Sequence, residues 1–321
     1  MLRKLEQFSG IRVATYCIMG NHFHLLLEVP DKEAMPKLEA EGLLELLPLL
    51  YDEAAVQTVA AEIAAARKAG NSIWEDEILE RYERRRGDLS MFVKMLKQRF
   101  SVFYNRRSGR VGTLWEDRFK SVLLEGGETT LRTVAAYIDL NPVRAGLVER
   151  PEDYRWSGYG EACGAGKGAA TAREGLASIT REGLANLRQH DRSEDVAWPD
   201  WSEVQRGYRL LLYTDGREQK PDEVRGEGGR AGIAAEECER VEESGGAMPL
   251  PEVLRRKVRY FSDGAVIGSA GFVNGVFDDL KDRGKIGSKR RTGARRMMGA
   301  DFGGLCSLRD LKKLPLEPPP E

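Results

Sequence analysis

An α+β fold is predicted for this chain of 321 residues, and three stretches predict it. Tyr16 to Pro30 (YCIMGNHFHLLLEVP) is apolar, β-favouring and closed by a proline, as a strand of a buried sheet is. Leu89 to Tyr104 sets Phe92, Val93, Leu96, Phe100 and Phe103 at the i, i+3/i+4, i+7 spacing of an amphipathic helix. Leu131 to Leu140 repeats that spacing with Leu131, Val134, Ala135 and Ile138. Lys plus Arg (50) nearly balance Asp plus Glu (51), so net charge names no partner and the distribution of charge has to. Cys17, Cys163, Cys238 and Cys306 show no C-x-x-C spacing, which argues against a zinc ribbon or a disulfide framework. Met1 to Gly10 is charged and lacks the apolar core of a secretory signal, and no apolar run nears the roughly 18 residues of a membrane span. The expected compartment is therefore the reducing cytoplasm, with no membrane partner.

In chain order, Met1 to Gly10 reads as a polar lead-in, the end of a helix closed by Gly10. Val13 to Glu28 follows as one strand. Side chains alternate along it, so His22 and His24 share a face, with Phe23 and Leu25 on the other. The chain has three histidines, and this pair accounts for two of them. Two imidazoles about 7 Å apart on a rigid strand suit one divalent cation. The competing reading is a pair of core histidines with satisfied hydrogen bonds. Residues 31–88 are charged and rich in alanine and leucine, a helical insertion to which no chemistry is assigned.

After the Leu89 helix comes Asn105 to Gly112 (NRRSGRVG), expected as a basic loop, and then Thr113 to Leu124 as a second strand. Asn105, Arg106, Arg107, Arg110, Arg118 and Lys120 are interleaved here with aromatic residues. That pattern suits nucleic acid, because cations neutralise phosphates and rings stack on unpaired bases. A solvated basic loop over an ordinary core is the equal alternative. Thr129 and Thr130 offer N-caps for the next helix, which Asn141-Pro142 ends. Tyr137 and Asn141 are four apart and lie on one helical face. Residues 161–250 read as a partly disordered linker region, glycine-rich at Gly164 to Gly168 and Gly226 to Gly246, with short helices at Thr171 to Leu187 and Trp201 to Tyr213. Residues 251–321 read as a small, mostly helical accessory domain: a helix to Phe261, a turn at Asp263 to Ser269, a helix at Phe272 to Leu280, then a basic arm. Lys289, Arg290 and Arg291 of that arm are candidate DNA contacts.

Three blocks in order, GNHFHLLLEVP, NRRSGRVGTLWEDRFKSVLLE and AAYIDLNPVRAGLVERPEDYRWSGY, resemble the REP-associated tyrosine transposases. These form the repeat-associated branch of the single-tyrosine HUH endonucleases, and the resemblance spans about Ile11 to Gly160. It implies a domain over 1–160 with an antiparallel sheet backed by helices, an HUH endonuclease-like core of ferredoxin or RRM type. It also implies cleavage and rejoining of single-stranded DNA at hairpin-forming repeats, through a 5′-phosphotyrosine and a free 3′-OH. His22 and His24 match the metal pair, Tyr137 the nucleophile, and Asn141 the polar residue that completes a Mg²⁺ or Mn²⁺ shell. A tyrosine hydroxyl titrates near pH 10 and needs such help at neutral pH. Transesterification keeps the phosphodiester energy, so no nucleotide cofactor is implied.

The implied partner is hairpin DNA in a bacterial, nucleoid-associated setting, with monomer and homodimer both open. Tyr104 is the competing nucleophile. Relatives carry a further strand and helix ahead of the histidine strand, where this chain has Met1 to Gly10, so an unpaired sheet edge is expected. Two other functions stay open: a catalytically decayed binder of hairpin DNA, and a metal phosphodiesterase that uses water.

Overall fold

Leu2, Leu5 and Phe8 fall on one helical face and bury it, which makes α1 (Leu2–Ser9) a core element instead of a polar lead-in. Gly10 closes α1 in the left-handed conformation, at φ 70°. These positions come from a computed structural model that describes residues 1–189, 198–213, 259–286, 293–298 and 302–309. The architecture is mixed α+β. Among the described residues no helix is long and apolar enough to cross a membrane.

The histidine stretch is a hairpin, not one strand over Val13 to Glu28. β1 (Arg12–Ile18) pairs antiparallel with β2 (Phe23–Glu28), setting Cys17 opposite His24 and Ile18 opposite Phe23. The reversal falls at Gly20-Asn21, a turn pair inside an otherwise apolar run, and the Met19 N–H donates to the His22 carbonyl at 2.8 Å. Tyr16, Phe23, Leu25 and Leu27 pack with α1 and the long helix α5 described below. Cys17 and Leu26 face a second core, which contains Tyr137.

The insertion is helical, as expected. α2 (Ala40–Leu46), α3 (Glu53–Lys68) and α4 (Ser72–Glu83) close a small core around Leu43, Leu47, Ile63 and Ile78. Asp52 and Asn71 cap α3 and α4 by accepting from Ala55 and Trp74 N–H groups.

α5 (Leu89–Ser108) starts at the Asp88 cap and runs past Tyr104. Asn105, Arg106 and Arg107 are therefore helical, which corrects the loop reading. Cations suit the negative end of a helix, and Gly109, at φ 60°, supplies the left-handed stop. Of the strand expected over Thr113 to Leu124 only β3 (Leu123–Leu124) forms. It pairs in parallel with β4 (Val266–Gly268), not with the hairpin. Among the described residues there are two sheets instead of one antiparallel sheet: the hairpin, and a mixed sheet of order β3-β4-β6-β5, with β5 (Arg295–Arg296) and β6 (Cys306–Ser307).

α6 (Glu128–Asp139) begins at Gly127, so Thr129 and Thr130 sit in its first turn and do not cap it. Leu140 joins it to the short α7 (Asn141–Arg144), whose Pro142 fills an early position where the missing N–H costs nothing.

Within 161–250, expected as a partly disordered linker region, the described residues form helices close to the two places expected, Thr171 to Leu187 and Trp201 to Tyr213. Residues 164–168 are a non-helical connection, and the helices contribute to the core. After α8 (Gly158–Cys163) come α9 (Ala169–Ser178), α10 (Arg181–Gln189) and α11 (Trp201–Tyr213). Leu176, Tyr208 and Leu212 are buried in the core that holds Tyr137. A small residue in α9 permits close approach to β1: a Cβ on Gly175 would lie 2.5 Å from the Val13 carbonyl oxygen and 2.7 Å from that of Ala14. Residues 214–258 lie outside the described residues.

Where it is described, the C-terminal part keeps the expected helical character and adds three short strands. It comprises α12 (Tyr260–Asp263), β4, α13 (Ala270–Asp282), β5 and β6, and the expected turn at Asp263 to Ser269 holds strand β4. Tyr260, Ile267, Met297, Phe302 and Leu305 join the core around Tyr137. Glu125, just after β3, accepts from the backbone and side chain of Ser269, the cap of α13. Lys289, Arg290 and Arg291 lie outside the described residues.

Candidate active site

Cys17 and His24 are cross-strand partners on the hairpin face that meets α6, and the turn brings His22 beside them. The two imidazoles lie edge to face with ring centres 5.0 Å apart. His22 is exposed, and its Nδ1 is 2.6 Å from Asn21 Oδ1. That spacing fits an Nδ1–H donor and makes Nε2 the lone-pair nitrogen. His24 Nε2 is buried and has no hydrogen-bond partner. Burial, then the neighbouring His22 and Arg144, lower the His24 pKa to about 4. The ring is thus neutral at physiological pH, with its lone pair available to a ligand.

α6 brings Tyr137 against this pair, its ring centre 6.1 Å from that of His24. Tyr137 is 4 % exposed, enclosed by two groups that sequence reasoning did not assign. The Arg144 guanidinium lies over its ring at 4.0 Å and donates to the Tyr137 carbonyl at 3.0 Å. Burial pushes the Arg144 pKa down to about 10, against the pull of Tyr137 and Cys17, so it stays a cation at neutral pH. On the other side Phe261 of α12 packs with ring centres 4.8 Å apart. Arg144 lies in the quoted AAYIDLNPVRAGLV block, three residues beyond Asn141, and that spacing was the available signal. Phe261 had none in the sequence.

Asn141 sits one turn beyond Tyr137, with its amide nitrogen donating to the carbonyls of Tyr137 (3.2 Å) and Ile138 (3.1 Å). Only its side-chain oxygen is thereby left in character to serve a cation. Among the described residues there is no group of three or more His, Cys, Asp or Glu side chains that could hold a metal. His24 Nε2, buried and without a partner beside His22, is a nitrogen that could serve a divalent cation, whose remaining ligands would have to come from outside those residue types.

Asp139 anchors α6 behind the tyrosine. It is wholly buried and accepts from Thr15 Oγ1 on β1 (2.9 Å), the Tyr208 hydroxyl on α11 (2.7 Å) and the Tyr159 N–H on α8 (3.1 Å). Burial outweighs these bonds and raises its pKa to about 7. Three elements, β1, α8 and α11, are thereby pinned to the residue two positions past Tyr137.

The expected DNA-binding residues do not gather on this cluster. Arg106, Arg107, Arg110, Arg118 and Lys120 are exposed along the end of α5 and the segment after it. Asn105 donates to the Gly112 carbonyl at 2.9 Å and shapes that segment, while Lys120 reaches Asp263 at 3.4 Å. Tyr104 is stacked on Phe100, 6.0 Å between centres, away from the histidines. Set against protein-family models, curated proteins and solved structures, the chain finds no match in any of the three. The site therefore has to be read from its own chemistry.

Proposed function

We infer that the chain cleaves and rejoins single-stranded DNA at hairpin-forming repeats, with Tyr137 as nucleophile and a 5′-phosphotyrosine as intermediate. The observation that carries this reading is the approach of Tyr137 to His24, whose buried Nε2 lacks a partner beside His22. His22 and His24 would hold Mg²⁺ or Mn²⁺, with the side-chain oxygen of Asn141 as a further donor. A bound divalent cation polarises phosphoryl oxygens and offsets the charge that develops on them. Arg144 supplies a fixed cation at the tyrosine ring, which favours the phenolate and attracts the phosphate. The phenolate oxygen attacks phosphorus, the 3′ oxygen leaves with the electron pair, and the reverse attack by that 3′-OH restores the backbone. Nucleotide hydrolysis is not required.

A non-catalytic hairpin-DNA binder is favoured by one observation, the near-complete cover over Tyr137 by Phe261 and Arg144. Incubation with labelled hairpin DNA and Mn²⁺, followed by a denaturing gel, separates the readings. A slow-migrating protein–DNA adduct, lost with EDTA and in Tyr137→Phe, is expected. Binding without an adduct, indifferent to Mn²⁺, sinks the enzyme reading in favour of the binder. Cleaved DNA without an adduct means hydrolysis by water.

A further inference from the structure

The hairpin has a second face at its histidine end, and the chemistry described above does not use it. Ile18 and Phe23 are cross-strand partners there, one position out of phase with Cys17 and His24. A third segment extends the row. Cys17 forms a β-bridge with Ser157, and the Ile18 N–H donates to the Trp156 carbonyl at 2.9 Å, so Trp156 stands opposite Ile18. Directly opposed residues share a face. On the far side Phe23 meets Trp115 edge to face at 5.4 Å, and Trp115 continues through Phe100 to the stacked Tyr104. The row is open at its Trp156 end, where Trp156 is 51 % exposed and Ile18 38 %, while Phe23 and Trp115 are half-buried and Tyr104, beyond them, is 37 % exposed.

It is also held and charged. The Tyr154 hydroxyl donates to the Ile18 carbonyl at 2.7 Å, which fixes the backbone beside Trp156. The Trp115 indole N–H donates to the Lys97 carbonyl at 3.1 Å. Arg155 lies 4.4 Å from the Trp156 ring centre, and Lys97 Nζ lies 5.2 Å from that of Trp115. Residues 105–121, which border the row, carry Arg106, Arg107, Arg110, Arg118 and Lys120 against Glu116 and Asp117.

From these features we propose that the row from Trp156 across Ile18 and Phe23 to Trp115 is a stacking platform for unpaired bases of single-stranded DNA, flanking the hairpin end opposite the histidine face. The proposal deepens the single-strand reading above and rests on it. Exposed rings with cations beside them match a polymer of aromatic bases on an anionic backbone. Duplex DNA, whose bases are already stacked, offers these rings nothing. An acidic protein partner would use the cations and leave the rings unused.

The test measures anisotropy of a labelled oligo(dT) strand, in EDTA and on a Tyr137→Phe background, so that cleavage plays no part. Trp156→Ala is expected to weaken binding about 10-fold, and Trp156→Phe to keep most of it. Tryptophan emission should be quenched by oligo(dT) and not by a duplex of equal length. Parent-like binding by Trp156→Ala, with emission unchanged by DNA, overturns the platform. So does equal weakening of duplex binding, which would assign the effect to charge, or clearly tighter binding of oligo(U), which would assign the row to RNA. A change of oligomeric state in Trp156→Ala, seen by sedimentation, would make the row a contact between copies. The adduct assay is independent: an adduct without the platform, or the platform without an adduct, shows which of the two readings has failed.

Discussion

The two faces of one hairpin are built on opposite plans. On the face that meets α6, His24 and Tyr137 are enclosed, and Asp139 ties β1, α8 and α11 to the helix that carries the tyrosine. On the other, Tyr16, Leu25 and Leu27 pack against α1 and α5, but at the turn end Trp156 and Ile18 lie open, and the cations of residues 105–121 reach into solvent. The first face fixes a few atoms within a dense core. The second spreads rings and charges over a surface. Changes on the first face should therefore act as all or none, and changes on the second should grade an affinity. The largest expected effect is Tyr137→Phe, which removes the attacking oxygen and keeps the ring that Arg144 and Phe261 pack on. Complete loss of covalent adduct on a denaturing gel, with an unchanged melting temperature, is the expected result. Residual adduct would move the nucleophile elsewhere, with Tyr104 next in line.

Asp139 tests how far the enclosed face depends on one side chain. Asp139→Ala leaves the Thr15 and Tyr208 hydroxyls and the Tyr159 N–H without their acceptor. A loss of about 3 kcal/mol in denaturant unfolding is expected. The same carboxyl sets a pH dependence. Its folded pKa, about 7, exceeds the 3.8 of an unfolded aspartate, so between those values the folded state holds more protons. Its contribution is full below pH 4 and is lost as pH rises through 7. His24 acts in the opposite sense, because its pKa falls from 6.5 to about 4 on folding. Its contribution is full above pH 6.5 and shrinks as pH falls towards 4. In the parent the two slopes offset each other between pH 4 and 6.5. Asp139→Asn should unmask a melting temperature that rises with pH in that window, and a flat profile would refute the assignment.

What could be read from the sequence follows the range of the interaction. The α6 stripe is a matter of local period and reads correctly; His22 and His24 do lie side by side, but His22 sits in the turn ahead of β2 and not on the strand that the period of two assumed. The hairpin turn at Gly20-Asn21 was missed because two turn residues lie within an apolar run that matches a strand in every other respect. The helix expected at Thr171 to Leu187 forms as α9 and α10, but its place in the core was not legible, because glycine and alanine are also what a flexible chain uses. Here Gly175 serves contact with β1, and Gly175→Ala, which drives a Cβ against two carbonyl oxygens, should cost about 2 kcal/mol in unfolding free energy. The part of the cover over Tyr137 that Phe261 supplies was not legible at all. Phe261 arrives through the pairing of Leu123-Leu124 with Val266-Ile267, a parallel contact between segments far apart in the chain. No periodicity within either segment announces that pairing.

The smallest effects belong to the exposed cations, and they separate charge from stacking on the open face. Arg106 and Arg107 sit in the last turn of α5, exposed, where their loss changes packing little. Each phosphate contact releases counterions, so the slope of log affinity against log salt falls by roughly 0.7 per contact removed from a single strand. Arg106→Ala and Arg107→Ala should each weaken oligo(dT) binding only a few-fold at physiological salt. Each should also flatten that slope by roughly 0.7, equally for every base composition. Trp156→Ala should do the reverse: a larger loss of affinity with the slope preserved, because its contact is with a base and not with a phosphate. Salt titrations of the three variants, run side by side, decide the matter. If all three flatten the slope alike, the rings only support the charges and the open face binds by electrostatics alone. If none does, neither arginine touches the backbone, and the path of the strand runs across the Trp156 end of the row, away from α5.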